Sequence, residues 1–388
     1  MNSYSVTLPR RILFGCGSVN ELSKELPGTC KNVLLAVGNH ALKNGIVTQI
    51  ENILRQGGVE HIYTVSGIPP EPALAEIDRL VAIGRKSRVD SVIAVGGGSV
   101  IDAAKAAAAL IPLDGCCADY FFGHKSIPGR TLFFAALPTT AGTGAEMTNN
   151  AVLTDPESRI KQSLRSSAMV ADLALVDPEF TYSCPAELTA ASGLDAFVQA
   201  VEAYTNPKAS IFSKELALTA AGKIYFHIRE ACTENPAAGH RDSMAEGSML
   251  TGMAFAQCGL GAVHGLAHPI GSLLRIPHGV ACAVLMPYIF EFNMPACQQQ
   301  YSELAEKLQM LSPLDRCSLA ACADVFIQQI KKLVCDLNIP PDFSVYGLNE
   351  SHFEFILKNC RSGSMKSNPR FMSDEEVLTI LKKVAAGT

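Results

Sequence analysis

Gly259–Pro287 reads GLGAVHGLAHPIGSLLRIPHGVACAVLMP and holds three of the nine histidines of the chain in an otherwise apolar, glycine-spaced segment. His264 and His268 are four residues apart, which on a helix places both rings on one face, about one turn from each other. Pro277 before His278 predicts a break and a new helix start. The alternative, three core histidines bonded to backbone carbonyls, buries imidazoles at a cost in free energy. Because neutral imidazole is the commonest metal ligand, the segment favours a metal site.

An acidic residue in an earlier apolar helix complements these histidines. Asp195 and Gln199 share one face of the predicted helix, and Glu202 lies a turn further along, close to that side. A carboxylate in such surroundings needs a cation or several hydrogen-bond donors. Together with His264 and His278, Asp195 forms a set of two histidines and one carboxylate that leaves positions open for substrate. The alternative is that Asp195 caps its helix or pairs locally with a lysine.

The composition indicates a globular chain with reduced thiols. The 388 residues are 48% hydrophobic, which is enough for about two domains with their own cores. The net charge of −5 and the lack of a basic run argue against nucleic acid as a partner. The apolar runs fall short of the ~18 residues that span a bilayer, and the first residues lack a secretory signal, so no membrane partner is expected. Thirteen irregularly spaced cysteines suit a cytoplasmic chain better than a disulfide framework.

Strands and helices alternate in the first half of the sequence. Short apolar runs bounded by glycine, proline or asparagine predict strands, and amphipathic stretches between them predict helices. This pattern is typical of a parallel sheet covered on both faces, and therefore of an α/β domain. The predicted strands are Val33–Val37, His61–Val65, Ser91–Val95 and Leu132–Leu137, and the predicted helices are Gly45–Gln56, Pro72–Lys86 and Val100–Leu110.

Around Phe180–Glu187 the pattern changes to long alanine- and leucine-rich segments, which predict an all-α domain. The sequence therefore predicts a domain boundary close to Tyr182, with domains over residues 1–182 and 183–388. The predicted helices are Glu187–Tyr204, Ile211–Arg229, Ser243–Cys258, His264–Leu274, Tyr301–Leu308, Ala320–Leu337 and Glu375–Ala385, and Ser362–Pro369 is predicted to be a loop.

Two loops of small residues follow predicted strands. The run from Gly96 to Ser99 lies between a strand and a helix, where glycines let the backbone approach a ligand and the helix N-terminus offers N–H groups to a phosphate. A tight structural turn would also explain the run. Asp102 is expected to cap that helix or to reach a ribose hydroxyl. The second loop, Pro138–Glu146, carries threonine hydroxyls suited to a dinucleotide, or forms a hydroxyl-rich turn. Ligands bind at this edge of open α/β sheets.

Four segments resemble the signatures of the iron-containing (group III) alcohol dehydrogenases, which share a fold with dehydroquinate synthase and glycerol dehydrogenase. They are GGGSVIDAAKA (96–106), LPTTAGTGAEMT (137–148), LTAASGLDAFVQAVEAYT (188–205) and GAVHGLAHPIGSLLRIPHGVACAVLMP (261–287). The resemblance runs from about Leu8 to the C-terminus. It implies an N-terminal domain that binds NAD(P) and a helical domain that holds a divalent metal, Fe²⁺ or Zn²⁺.

The resemblance also implies a ligand set. The family's ligands are an aspartate, a histidine four residues later and two histidines of the last motif, and they match Asp195, position 199, His264 and His278. Position 199 is Gln, whose neutral amide oxygen is a poorer donor than imidazole for zinc or Fe(II). Four outcomes are open: Gln199 coordinates through its oxygen, water replaces it, His268 is recruited, or the enzyme works without metal. We expect metal binding that is retained but weakened.

Gly38 stands where NAD-specific members of the family carry an aspartate that accepts a ribose hydroxyl. Without that carboxylate a 2′-phosphate is not repelled, so NADP is predicted to be accepted alongside NAD, or preferred to it. Glu71 stands where many relatives have Asn, which leaves that adenosine contact open. The resemblance implies further cofactor contacts at Gly97, Gly98, Ser99, Asp102, Thr139, Thr140, Thr143 and Lys161, with Phe255 near the nicotinamide.

The implied reaction is reversible hydride transfer between the nicotinamide and a small primary alcohol or aldehyde. A metal at Asp195, His264 and His278 would act as a Lewis acid, and His268 would pass the proton to solvent. One alternative is a metal-independent reductase of the same family, or a weakened protein that only binds nucleotide. Another is a lyase or cyclase of the dehydroquinate synthase type, although the last motif lacks the basic residues that such a substrate needs, apart from Arg275.

The resemblance extends, more weakly, to the substrate and the assembly. Candidate pocket walls that suggest a short, mostly apolar substrate are Phe122, Phe255, Cys258 and Leu260. A homodimer is the family's habit, with Ser5–Leu13 as a candidate edge strand for pairing.

Overall fold

The apolar runs of the first half form one parallel sheet. In this computed structural model, which describes residues 3–129 and 132–386, the strands are β1 (Arg11–Phe14), β2 (Asn32–Val37), β3 (His61–Val65), β4 (Ser91–Gly96), β5 (Phe133–Pro138), β6 (Asn150–Asp155), β7 (Ile160–Arg165) and β8 (Leu173–Val176). Six of them pair in the order β1-β8-β5-β4-β2-β3, and every pair is parallel. The remaining two, β6 and β7, form an antiparallel hairpin. The predicted α/β architecture is confirmed. The candidate edge strand Ser5–Leu13 overlaps β1, which lies at an edge of the sheet, whereas β8 and the hairpin were not anticipated.

Both faces of this sheet are buried because alternate residues of each central strand enter different cores. In β2, Leu34 and Ala36 pack with one apolar cluster, whereas Val33 and Leu35 pack with the other. A strand buried on both sides reads as a continuous apolar run rather than as an alternating one. The covering helices are α1 (Leu22–Glu25), α2 (Asn39–Lys43), α3 (Ile46–Gln56), α4 (Leu74–Lys86), α5 (Gly98–Leu110) and α6 (Cys117–Phe121).

The strand order places a switch point between β2 and β4. The chain leaves β2 for β3 on one side, and returns to pair β4 on the other side of β2. Connections that diverge from two adjacent strands leave a crevice at the carboxyl ends of these strands, where ligands of open α/β sheets bind. Gly38 follows β2 and Gly97 follows β4, so both lie at this crevice.

The first compact unit covers Ser5–Pro185, and the second holds residues 3–4 together with residues 186–386. Its helices are α7 (Ala186–Thr205), α8 (Ile211–Ala231), α9 (Ala238–Cys258), α10 (Ala262–Leu274), α11 (His278–Lys307), α12 (Leu319–Asp336), α13 (Phe353–Asn359), α14 (Gly363–Lys366) and α15 (Asp374–Ala386). Helix α7 is buried from Gly193 to Thr205 and packs against α8, α9 and α11. A helix that is mostly apolar, as this buried part of α7 is apart from Asp195, Gln199 and Glu202, is expected at such a central position.

Two predictions in this half were wrong in extent. The predicted helix Tyr301–Leu308 is only the end of α11, which continues through Pro287 and Pro295 with a non-helical residue at Cys297. The alanine, valine and leucine content of its first half supports a helix that the prolines had hidden. The predicted loop Ser362–Pro369 contains α14, whose N-terminus is capped by the Ser362 side chain.

One helix among the described residues, α11, is long and apolar enough to cross a membrane by length and composition. The apolar runs considered from the sequence were uninterrupted, whereas this helix includes Glu291 and Asn293. Of its most apolar window, 61% is buried inside the protein. It packs against α7, α10 and α12, as a core helix does.

Candidate functional site

Four possible metal-ligating side chains converge in the helical unit. Helix α7 supplies Asp195, α10 supplies His264, and α11 supplies His278 and Cys282. One ligand atom from each lies within 4.8 Å of every other. Asp195, His264 and Cys282 are buried, and His278 is partly exposed. The three residues expected from the sequence to surround a cation therefore meet, and a thiol joins them.

The separations fit one cation. For tetrahedral ligation at roughly 2.0–2.3 Å, donor atoms lie about 3.3–3.8 Å apart. Asp195 Oδ1 lies 3.2 Å from His264 Nε2 and 3.8 Å from His278 Nε2. Cys282 Sγ lies 3.6 Å from His278 Nε2. Carboxylate, imidazole and thiol are all ligand types that divalent zinc and iron accept, so the donor set suits such a metal.

A buried carboxylate orients His264. The Nδ1–H of His264 donates to Glu202 Oε2 at 2.6 Å, and Glu202 Oε1 accepts from the backbone N–H of Val263 at 2.8 Å. This leaves Nε2 directed at Asp195. Metal-binding histidines are commonly held by such a carboxylate, which sets the ring orientation and strengthens the ligand.

Electrostatics also favour a cation here. Burial by itself lowers the pKa of His264, but Cys282, Glu202 and Asp195 outweigh it and raise this pKa well above its ordinary value. Burial raises the pKa of the Cys282 thiol to about 12. The surrounding acidic groups therefore stabilise positive charge at this point, which a divalent cation would supply.

Gln199 lies beside the cluster and is engaged with Asp195. Its Nε2 donates to Asp195 Oδ2 at 3.0 Å, and the side chain is buried. Its Oε1 is buried and has no hydrogen-bond partner among the described residues. The local lysine pairing considered for Asp195 is not what forms, because His264 and Gln199 take its two oxygens.

His268 lies next to the cluster rather than inside it. Its ring centroid is 5.1 Å from that of His278 and 6.4 Å from that of His264. The four-donor group found among the described residues does not include it. His268 is partly exposed, so it is placed as a polar neighbour of the cluster with access to solvent.

The two small-residue loops of the α/β unit pack on each other. A Cβ on Gly98 would lie 2.5 Å from Thr143 Oγ1, and one on Gly97 would lie 3.3 Å from Thr140 Oγ1. The backbone N–H of Thr139 donates to the carbonyl of Gly96 at 3.0 Å. The glycines are therefore needed for this close approach, because any side chain at position 98 would displace the threonine loop.

Gly38 adjoins the same loops. Its N–H donates to Val95 O at 2.9 Å, and a Cβ at this position would lie 3.4 Å from Gly96 Cα. The carboxyl ends of β2, β4 and β5 are adjacent in the sheet, so the three segments form one small-residue surface at the switch point.

Asp102 has a structural partner that the sequence did not indicate. Helix α5 begins at Gly98, so Asp102 lies in its second turn and does not cap it, which corrects one of the two expectations for this residue. Its Oδ2 accepts from Val152 N at 2.9 Å and its Oδ1 lies 3.8 Å from Lys105 Nζ. Burial raises the pKa of Asp102 to about 6.

Lys105 joins helix α5 to the threonine loop. The fully buried ammonium donates to Ala145 O, Asn150 O and Thr148 Oγ1 at 2.7, 2.7 and 2.9 Å. Burial lowers its pKa to about 8, against the opposing attraction of Asp102. Because three acceptors surround it, the charge is compensated although the side chain is buried.

Lys161 and Glu71 form an ion pair next to Ser99. The Lys161 Nζ lies 2.6 Å from Glu71 Oε1, and the N–H of Glu71 donates to Ser99 Oγ at 3.2 Å. Glu71 has a φ of 54°, in the left-handed region. The lysine expected to contact the cofactor is thus held by the residue that occupies the usual asparagine position.

Comparison with known proteins gives the family. The family model described as iron-containing alcohol dehydrogenase matches residues 9–178, and the model of its C-terminal domain matches residues 189–385. The chain belongs to the iron-containing alcohol dehydrogenases. The expected family is thereby confirmed, and its activity is that of an NAD(P)-dependent alcohol dehydrogenase.

Individual relatives align over nearly the whole chain. The long-chain-alcohol dehydrogenase 1 of Geobacillus thermodenitrificans is 33% identical over 100% of this chain and 98% of its own length. The NADPH-dependent butanol dehydrogenase of Clostridium saccharobutylicum is 32% identical over 98% of both chains. The solved structure of the alcohol dehydrogenase from Oenococcus oeni is 31% identical, with a TM-score of 0.92 over 98% of this chain and 100% of its own.

Sequence reasoning within this alcohol dehydrogenase missed Cys282 and Lys105. Cys282 follows His278 by four residues on a helix, the same spacing that had singled out His264 with His268 and Asp195 with Gln199. That spacing was therefore an available signal. No sequence signal indicated the role of Lys105, because its hydrogen-bond acceptors come from a separate loop.

The four candidate substrate walls differ in their exposure. Phe122 is 43% exposed, and Phe255 and Leu260 are partly exposed. Cys258 is buried, and its thiol points at backbone carbonyls of Ala203 and Ala254. Cys258 thus packs in the core of the helical unit.

Proposed function

We propose that the chain reduces short, mostly apolar aldehydes, and oxidises the corresponding primary alcohols, with NADP as the preferred nicotinamide. The absence of a carboxylate at Gly38, beside the Gly96 backbone, carries the cofactor assignment. A carboxylate there would repel a 2′-phosphate, whereas a glycine does not. The NADPH dependence of the butanol dehydrogenase relative supports this choice.

The α/β unit binds the nucleotide in this proposal. Gly97, Gly98 and Ser99 offer backbone N–H groups at the start of α5, where the helix dipole favours a pyrophosphate. The remaining contacts in this unit are Asp102, Thr139, Thr140, Thr143 and Lys161. The ion pair with Glu71 holds Lys161 close to Ser99 for this purpose.

The helical unit binds a divalent metal and the substrate oxygen. Asp195, His264 and His278 would hold the metal, and Gln199 fixes the Asp195 carboxylate through its amide N–H. A divalent metal bound there supplies Lewis-acid polarisation of the carbonyl, or stabilises the alkoxide in the reverse direction. His268, adjacent to His278 and partly exposed, carries the proton between the substrate oxygen and solvent.

Two further features complete the proposal. We assign a homodimer, supported by β1, which is an edge strand of the sheet and leaves one side open for pairing. We also assign a cytoplasmic location, because the thirteen cysteines are all free thiols, as a reducing compartment keeps them.

The test is a panel of short aldehydes with NADPH and NADH, together with a metal count on protein purified without chelator. We expect steady NADPH consumption and a bound divalent metal. A kcat/KM for NADH well above that for NADPH would overturn the cofactor assignment. If active protein holds less than about one-tenth of an equivalent of metal per chain, the metal site is refuted and the enzyme is a metal-independent reductase.

A further inference from the structure

The thiol of Cys282 occupies a position that the expected ligand set does not explain. It is fully buried on α11, one turn after His278, and its Sγ lies 3.6 Å from His278 Nε2. Its sulfur belongs to the single four-donor group found among the described residues. A cysteine that only fills space would have no reason to point its sulfur at two imidazoles and a carboxylate.

Gln199, the other candidate for the fourth position, is tied to Asp195 through its nitrogen, and its Oε1 has no hydrogen-bond partner among the described residues. Its amide nitrogen donates to Asp195 Oδ2, so the amide serves to hold the carboxylate. Only the remaining Oε1 could bind a metal, and a neutral amide oxygen is a weaker ligand than a thiolate for zinc. Turning the amide over would place its oxygen against the carboxylate and lose the hydrogen bond.

We infer that Cys282 is the fourth protein ligand of the metal, which compensates for the glutamine at position 199 and makes the site selective for Zn²⁺ over Fe²⁺. This inference rests on the proposed metal site. The set becomes one carboxylate, two imidazoles and one thiolate. Soft sulfur ligands favour zinc, whereas sets of histidine and carboxylate alone also suit Fe(II).

Binding is a simple ligand exchange. The S–H bond of Cys282 would break with its proton leaving to solvent, and the sulfur lone pair would replace a water molecule on the hydrated cation, with no change in oxidation state. The charges of the Asp195 carboxylate and the Cys282 thiolate together balance a divalent cation. Glu202 is not a member of this donor set, because its two oxygens accept from the Nδ1–H of His264 and the backbone N–H of Val263.

The experiment uses Co²⁺ as a spectroscopic substitute for Zn²⁺ in the full chain after chelator treatment. A cobalt–thiolate bond gives an intense near-ultraviolet charge-transfer band, which oxygen and nitrogen ligands do not give. The band is expected in the wild type and in Gln199→Ala, and is expected to be absent in Cys282→Ala and Cys282→Ser. Cys297→Ala, which removes another buried thiol of the same helix, is the matched control and should keep the band.

Metal affinity gives a second readout that does not depend on activity. Competition with a chromophoric chelator should show the Zn²⁺ dissociation constant rising at least about 10-fold in Cys282→Ala and less than about 3-fold in Gln199→Ala. Adding Gln199→His to Cys282→Ala should restore affinity without restoring the band, because an imidazole then replaces the thiolate. Circular dichroism of each variant confirms that the helices are intact.

The outcomes separate this inference from the proposed function. Stoichiometric cobalt binding without the band in the wild type, or a band that survives in Cys282→Ala, overturns thiolate ligation and leaves the metal site standing. A large loss of affinity in Gln199→Ala but not in Cys282→Ala identifies the amide as the ligand and also overturns it. A wild-type protein that binds neither cobalt nor zinc overturns both.

Discussion

The nucleotide loops of the α/β unit and the metal cluster of the helical unit are built in opposite ways. The loops after β2, β4 and β5 consist mostly of small residues, and the proposed nucleotide contacts there are largely backbone N–H groups that become available where side chains are small or missing. The metal cluster consists of four side chains from three helices that are distant in sequence. A fifth side chain, Glu202, orients one of the four. A site made of backbone depends on close approach, whereas a site made of side chains depends on each donor and its support.

The largest effect is expected from removing a donor of the metal cluster. His264→Ala leaves the Asp195 carboxylate without its imidazole partner and takes away a metal ligand. Because metal polarisation is worth several kcal/mol, kcat/KM should fall by about 10³-fold or more. NADPH affinity, measured by fluorescence titration, should stay nearly unchanged. His240→Ala, at a histidine pair of α8 and α9 outside the cluster, is the control, and equal losses in both variants would refute the assigned role.

The next effect is expected at the support of the backbone-built site. Lys105→Met removes the ammonium that satisfies Ala145 O, Asn150 O and Thr148 Oγ1, and leaves Asp102 buried without its cation. Breaking a buried charge network of this kind costs about 3 kcal/mol, so the unfolding temperature should fall by several degrees. Differential scanning calorimetry measures this unfolding temperature. Lys86→Met, at an exposed lysine of α4, should change little, and zinc affinity should be unaffected in either variant.

A smaller effect is expected at the support of the metal cluster. Glu202→Gln keeps the shape of the side chain but removes the negative charge of the carboxylate, whose Oε2 accepts the hydrogen bond from His264 Nδ1–H. Loss of such an outer partner typically lowers metal affinity about 10- to 100-fold, measurable by chelator competition. Glu187→Gln, on an exposed position of the same helix, provides the comparison. An unchanged zinc affinity would mean that Glu202 stabilises the fold rather than the ligand.

The smallest effect is expected where a methyl group is added to the nucleotide loop. In Gly98→Ala the new Cβ would lie 2.5 Å from Thr143 Oγ1 and 3.0 Å from Thr143 Cβ. Overpacking lowers the free energy of unfolding by about 1–3 kcal/mol, and the higher helix propensity of alanine restores at most about 1 kcal/mol. We therefore expect a net loss of stability of about 1 kcal/mol. NADPH affinity should drop about 5-fold while metal affinity is kept. Gly28→Ala, where a Cβ meets nothing within 4 Å, should bind NADPH normally, and a similar drop there would discount the clash.

Prediction from sequence was most successful where the information is local. The strands β2, β3, β4 and β5 and most long helices follow from apolar periodicity, which depends on neighbours in the chain. Pairings such as β1 with β8 were not accessible, since their residues are far apart in sequence and no turn connects them. The prolines of α11 concealed a helix whose burial against α7 and α12 outweighs the local cost.

The amino-acid sequence alone determined the periodic elements, the glycine and threonine loops, the family signatures and the kinds of donor that can bind a metal. Tertiary structure decided which donors meet: Asp195 and His264 are 69 residues apart and lie 3.2 Å apart in space, and Cys282 joins them while His268 remains beside them. It also decided that the amide of Gln199 faces a carboxylate and that Lys105 is compensated by a distant loop. The physical reason is that burial and charge act through space, so a buried polar group acquires its role only from the partners that packing places around it.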